Sequence, residues 1–127
     1  PYTTLFRSDE WGRKLIGERG YSSVGAVIGT TYPKEARTLR SIMPNALILG
    51  PGMTTQGGTA EDSTAIFNED GYGGHPSSSS GINYAYNRKP YSLDFTPEEF
   101  AEAARQATID LRDDVNEALE NAGKSPW

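Results

Sequence analysis

The stretch VGAVIGTTYPKEARTLRSIMPNALILGPG, residues 24–52, holds two apolar runs on either side of an amphipathic segment. Val24-Gly-Ala-Val-Ile-Gly29 and Ala46-Leu-Ile-Leu-Gly50 are short, uncharged and bounded by glycine, as buried strands are. Between them, Pro33 suits a first helical turn. Ala36, Leu39 and Met43 then share one face, with Lys34, Glu35, Arg37 and Arg40 around the rest. Pro44 and Asn45 close that helix. Two continuous apolar strands joined through a helix predict parallel pairing, with both faces of the sheet covered.

Downstream, Pro51-Gly52 ends the second strand and a loop carrying Gln56-Gly57-Gly58 follows. Thr59 and Asp62 form a capping pair for a short helix through Phe67. Gly71 to Gly74 is a glycine-rich return. A weaker third strand is expected between His75 and Tyr86, with Ile82, Tyr84 and Tyr86 alternating to one side and Pro76 opposing an early start. Thr96-Pro97-Glu98-Glu99 then opens the clearest helix, with Phe100, Ala104, Ala107, Leu111, Val115 and Leu119 as its core stripe until Gly123. Upstream, Asp9 to about Glu18 reads as a helix carrying Trp11, Leu15 and Ile16 on one side, stopped by Gly20.

These elements make about three strand–helix units. A complete (β/α)8 barrel takes about 200–250 residues, so the expected fold is α/β, the final third of such a TIM barrel. Residues 9–127 are assigned to it. The first eight residues, PYTTLFRS, show no helical or alternating period. They match the translation of a common short-read sequencing adapter and are expected to be a scar outside the fold.

Composition excludes several classes of function. The net charge is −5, from 12 basic and 17 acidic residues without a basic run, so neither nucleic acid nor an anionic membrane is an expected partner. No stretch approaches the roughly 18 apolar residues of a membrane span. Cysteine is absent, which excludes disulfides and thiolate metal sites and is compatible with a cytoplasmic location. His75 is the one histidine, so a multi-histidine metal site is impossible and a Ser-His-Asp triad would hang on a residue beside proline. The serine run does not fit the nucleophile elbow G-x-S-x-G. Tyr84, Tyr86 and Tyr91 read as packing or surface residues.

In an α/β barrel, chemistry gathers at the carboxyl ends of the strands. Here those ends are Gly29-Thr30-Thr31-Tyr32-Pro33, Pro51 to Gly58, and Ser77-Ser78-Ser79-Ser80-Gly81. All are rich in hydroxyls, amides and glycine, and none carries a carboxylate or a lysine. Such residues suit phosphate binding better than proton transfer. They are equally the residues of ordinary turns.

The order of these motifs resembles the C-terminal part of orotidine 5'-phosphate decarboxylases. The bacterial branch of that family reads V-G-x-V-x-G-A-T-Y-P, then P-G-x-G-A-Q-G-G, then N-S-S-R-x-I. Val24 to Pro33, Met43 to Gly52, Gln56-Gly57-Gly58 and Ser78-Ser79-Ser80-Gly81-Ile82 match in order across roughly Asp9 to Val115. The resemblance implies a cofactor- and metal-free barrel that converts orotidine monophosphate to uridine monophosphate and CO2, commonly as a homodimer. It places the substrate phosphate at Gln56, Gly57, Gly58, Ser79 and Ser80, and sets Pro51 at the border of the base. The family's catalytic Lys/Asp motif, D-x-K-x-x-D, is not present; Asp110-Leu-Arg-Asp-Asp114 lacks the lysine and reads as a solvated helix face. The residues therefore carry no expected catalytic group, only the phosphate end.

Two positions depart from the pattern. Thr54 stands where the family has a loop glycine, and Ser80 stands where it has the phosphate-binding arginine. Serine lacks the charge and the bidentate fork that arginine offers a phosphate. Two other readings stay open: a phosphate-binding barrel with different chemistry, and a small non-catalytic α/β binding domain.

Overall fold

The computed structural model describes residues 3–54 and 56–126, with the backbone alone for residues 3–6. Its centre is a three-stranded parallel sheet in the order β1-β2-β3, with β1 at Ala26–Val27, β2 at Ile48–Pro51 and β3 at Gly74–Ser77. Helix α1 spans Thr3–Gly12, α2 Pro33–Ile42, α3 Ala60–Ser63, α4 Ser79–Asn83 and α5 Phe100–Asn121. Short 3-10 turns extend several of these, including Arg13–Leu15 and Thr64–Ile66. The amides of Ala26, Ile28 and Thr30 donate to the carbonyls of Leu47, Leu49 and Pro51 at 3.0, 2.9 and 3.0 Å. The pairing of the two apolar runs is thus longer than the regular strand β1 alone.

Both capping boxes form. The Thr59 hydroxyl accepts from the Asp62 amide while Asp62 accepts from the Thr59 amide. Glu99 accepts from the amide and hydroxyl of Thr96, and those two bonds hold its carboxyl below the ordinary range.

Several expectations are corrected. The third strand is Gly74–Ser77 and includes Pro76, which breaks no bond to β2: the Ile48 amide donates to the Gly73 carbonyl, so by the alternation of parallel strands the Pro76 nitrogen faces away from β2. Ile82 lies on α4, and Tyr86 in the 3-10 turn Ala85–Asn87, so the Ile82, Tyr84, Tyr86 alternation is not a strand. Phe100 is 57% exposed, because the core stripe of α5 begins one turn later at Ala103 and continues through Ala107, Val115, Ala118 and Leu119. The first helix runs unbroken through Ser8 and Asp9 and ends at Gly12, leaving Trp11, Leu15 and Ile16 exposed. Pro1 and Tyr2 lie outside the described residues.

Coverage of the sheet differs most. Ala26, Ile28, Ala46 and Ile48 are buried in one core with Ala36, Leu39 and Met43 of the α2 segment, Ile66 and Phe67, and Val115 and Leu119 of α5. The alternate residues Val27, Leu47 and Leu49 are 61%, 53% and 40% exposed. Strand geometry sends alternate side chains to opposite faces, and here only one face has a helical layer.

Arg40 is the second large departure. It is 5% exposed, and its guanidinium donates to the carbonyls of Ile66, Gly73, Met43 and Ala46. Burial lowers its pKa, opposed in part by Tyr21 and Asp70. Arg40→Met should lower folding stability by roughly 3 kcal/mol, because the carbonyls lose a charged donor without gaining water. Arg40→Lys should recover part of that loss. Denaturant midpoints of the two variants check this, and equal midpoints for Arg40→Met and the parent chain would show that the carbonyls do not depend on the cation.

Candidate functional site

The sequence-predicted residues all lie at or beyond the carboxyl ends of β2 and β3. Thr30, fully buried, closes the β1–β2 end: its amide and hydroxyl both donate to the Pro51 carbonyl, at 3.0 and 3.2 Å. The chain then turns through a tight loop. Gly58 donates to the Gly52 carbonyl at 3.1 Å, Thr54 to the Gly58 carbonyl at 3.0 Å, and Gly57 to the Thr54 carbonyl at 3.2 Å. A Cβ on Gly58 would sit 2.6 Å from the Thr30 hydroxyl and 2.7 Å from the Gly52 carbonyl oxygen, so only glycine fits. The amides of Gly57 and Gly58 are therefore spent on the loop itself.

Thr54 has φ of +64°, in the left-handed region that strongly disfavours a β-branched residue. This is the position of the family's glycine. What holds it there is a small hydroxyl cluster: Thr54 Oγ1 donates to the Met53 carbonyl at 2.7 Å and lies 2.8 Å from Ser78 Oγ. Ser78, buried at the entry to α4, also reaches the Met53 carbonyl at 3.3 Å. Met53 is itself 2% exposed, so the cluster rests on the core. The loop after β2 and the start of α4 after β3 are thus joined side chain to side chain.

Around this junction the expected phosphate residues are spread out. Gln56 and Gly57 are exposed at the loop tip, while Gly58 is buried. The Gln56 carboxamide oxygen lies over Gly52, 3.3 Å from where a Cβ would stand. Ser79 is exposed and Ser80 half-buried in the first turn of α4, and Pro51 is half-buried at the end of β2. A cavity of about 340 Å³ opens beside the junction, lined by Thr54, Ser78 and Gly81 and by Arg88 and Tyr91 from the following turn. Ser79, Ser80 and Gln56 do not line it.

Asp110, assigned from sequence to a solvated face, faces this cavity from α5 and accepts hydrogen bonds from Tyr91 at 2.9 Å and Gln106 at 2.7 Å. Burial, then the Asp110 bond, pushes the Tyr91 phenol up to about 12. Among the described residues no cluster of three or more His, Cys, Asp or Glu could hold a metal ion. His75 is exposed on β3, paired across from Leu49. Sequence reasoning missed the Thr54–Ser78 junction; the glycine-to-threonine departure at 54 was the available signal.

No protein-family model matches the chain. Known proteins do. The chain is 36% identical over 110 residues to an orotidine 5'-phosphate decarboxylase of Caldicellulosiruptor bescii, covering 87% of this chain and 34% of the relative. It is 40% identical over 104 residues to that of Deinococcus radiodurans, covering 82% and 34%, and 39% identical over 108 residues to that of Clostridium perfringens, covering 85% and 36%. The chain is similar to orotidine 5'-phosphate decarboxylases. It spans about a third of the length of the relatives it matches. A Toxoplasma gondii protein assigned as an orotidine-monophosphate decarboxylase superposes with a TM-score of 0.55 at 20% identity, over 88% of this chain and 41% of that one. The fold is accordingly part of a TIM barrel, as its parallel strands and crossover helices predict.

Two outcomes check this geometry. Thr54→Ala keeps the strained Cβ and loses the hydroxyl bonds, whereas Thr54→Gly loses the bonds and relieves the strain. The glycine variant should therefore be the more stable of the two by about 1 kcal/mol, read from denaturant midpoints. In an alkaline titration at 295 nm, one tyrosine should ionise near pH 12, and Tyr91→Phe should delete that step. Its raised pKa stabilises the fold fully below the ordinary value near 10, and that stabilisation is lost as pH rises through the folded value.

Proposed function

We propose that this chain is part of an orotidine 5'-phosphate decarboxylase and supplies the phosphate-holding end of its substrate site. The observation that carries the reading is the junction of Thr54 with Ser78. It ties together the loops following two adjacent parallel strands, at the end of the sheet where barrels of this kind bind phosphate. The named relatives, 34–40% identical over more than four-fifths of the chain, support the same reading.

In this reading Gln56 reaches the substrate phosphate from the loop tip, the backbone around Gly57 and Gly58 shapes the loop, and Ser79 and Ser80 approach from α4. Pro51 borders the pyrimidine. The phosphate does not react. Its binding energy holds the base against groups supplied by other strands, and so lowers the barrier to CO2 loss from a distance. Those groups, a Lys/Asp constellation, are absent from this sequence. The product is uridine monophosphate, and the complete protein acts in the cytoplasm as a homodimer without a cofactor. No helix among the described residues is long and apolar enough to cross a membrane.

Ser80 sets the expected weakness of the site. A charged, forked donor there adds about 1.5–3 kcal/mol, so Ser80→Arg should tighten uridine monophosphate binding about 10- to 150-fold in calorimetry. Gln56→Ala should weaken it. Binding indifferent to both substitutions would refute the assignment of the phosphate end. The unmodified chain by itself should give no measurable turnover of orotidine monophosphate in a CO2-release assay.

A further inference from the structure

The cavity of about 340 Å³ beside the Thr54–Ser78 junction carries charged groups for which the phosphate end has no use. Its volume lies within the range of small-molecule sites. Arg88 and Lys89 line one part of it, and Asp110 and Asp114 of α5 line another. Among the described residues no ion pair joins either cation to either carboxylate. Opposite charges that share one cavity without meeting leave a place between them for a molecule that carries both signs.

Local structure keeps the two pairs of charges where they are. The Arg88 amide donates to the Ala85 carbonyl and the Arg88 carbonyl accepts from the Ser92 amide, both at 2.9 Å. Ala85, 1% exposed, packs with Ala103 and Ala107 of α5, and Tyr91 lies against the same small core. Opposite, Asp110 is held by the Tyr91 phenol and the Gln106 carboxamide. Tyr91 also feels the charge of Asp114, so both carboxylates flank its ring. A titratable group perturbed in this way inside a cavity marks a candidate site.

The hydroxyls give that end of the cavity its sign. Thr54 donates its proton to the Met53 carbonyl, and Ser78 donates to the Thr54 oxygen or to the same carbonyl. Both hydroxyls are then left with acceptor capacity alone. A Cβ on Gly81 would stand 2.4 Å from the Ser78 oxygen and 2.5 Å from the Thr54 oxygen, so glycine leaves them uncovered. Hydroxyl oxygens and carboxylates together ask for a donor, while Arg88 and Lys89 ask for an anion. Ile82 and Leu111 supply an apolar wall.

We propose that this cavity binds a small zwitterion of the amino-acid kind. Its carboxylate meets Arg88 and Lys89, its ammonium meets Asp114 and the acceptors around it, and its apolar side chain lies against Ile82 and Leu111. A simple phosphate or carboxylate would satisfy the cations and leave the acceptors without a donor. Gln56, Ser79 and Ser80 do not line the cavity, so the site is separate from the expected phosphate residues.

Calorimetry on the 127-residue chain tests this with phenylalanine as the probe. Hydrocinnamate, which lacks the ammonium, and phenethylamine, which lacks the carboxylate, should each bind more weakly by about tenfold or more. Arg88→Gln combined with Lys89→Gln should reduce phenylalanine binding to the level of phenethylamine. Asp114→Asn should reduce it to the level of hydrocinnamate. Arg105→Gln removes an exposed α5 cation that does not line the cavity, and should leave binding unchanged. All four substituted positions are exposed, and unchanged denaturant midpoints check that the variants fold. No binding of phenylalanine, equal binding of the three probes, or full binding by either charge variant would each overturn the proposal. Uridine monophosphate is titrated separately, so the substrate reading and the zwitterion site can fail independently.

Discussion

One buried guanidinium organises the amino ends of the strands. Arg40 rises from the last turn of α2 and reaches the carbonyls of Met43 and Ala46, which lead into β2, and of Gly73, which leads into β3. It also takes the carbonyl of Ile66, at the end of the turn that follows α3. The Gly73 carbonyl also accepts from the Ile48 amide at 2.8 Å and the Met43 carbonyl from the Ala46 amide at 3.2 Å, so the guanidinium shares acceptors with the backbone where α2 ends and β2 meets β3. Lys124 does similar work one layer away, donating to Phe67 at 3.1 Å and Thr64 at 3.4 Å, and pairing with Glu69 at 3.2 Å. Chain reversals on the bottom of the sheet are thus held by cations whose donors are directed at backbone oxygens. Their loss would cost more than their presence contributes, since a buried unpaired group suffers the full desolvation penalty.

The opposite end is built on another principle. At the carboxyl ends, neutral hydroxyls and glycines replace the cations, and one residue is held in a strained conformation. Thr54 accepts a left-handed backbone because Met53 anchors it from below and Ser78 meets its hydroxyl from the side. Strain that survives in this way is over-determined by its surroundings, and it tends to gather where a protein binds something. The division matches what barrels show in general: stability on the amino face and chemistry on the carboxyl face.

Between these two ends the sheet itself is asymmetric. One face packs against α2, α3 and α5 with Ile48, Met43 and Ile66 wholly buried, while the other offers Val27, Leu47 and Leu49 to whatever completes it. This asymmetry explains why the strands read as continuous apolar runs although half of their residues are exposed. Their composition answers to a sheet covered on both faces, and only one of the covering layers is made by these residues.

Local sequence determined the elements whose cause is local. The strand–helix–strand unit of residues 24–52, the two capping boxes and the start of the last helix all depend on residues within a few positions of one another, and all form. The motif order likewise made the loops after the second and third strands readable as candidates for a phosphate site. Tertiary structure alone decided the remainder. Whether Pro76 is tolerated depends on the register with β2, which turns its nitrogen away from that strand. Whether Arg40 is a surface charge or a buried hub depends on carbonyls up to 33 residues away meeting at one point. Whether Thr54 is a harmless substitution or a strained latch depends on Ser78, 24 residues distant. A pattern of side chains records periodicity and capping, but it does not record which distant backbone groups lack partners, and those groups settled where the charges and hydroxyls of this chain went.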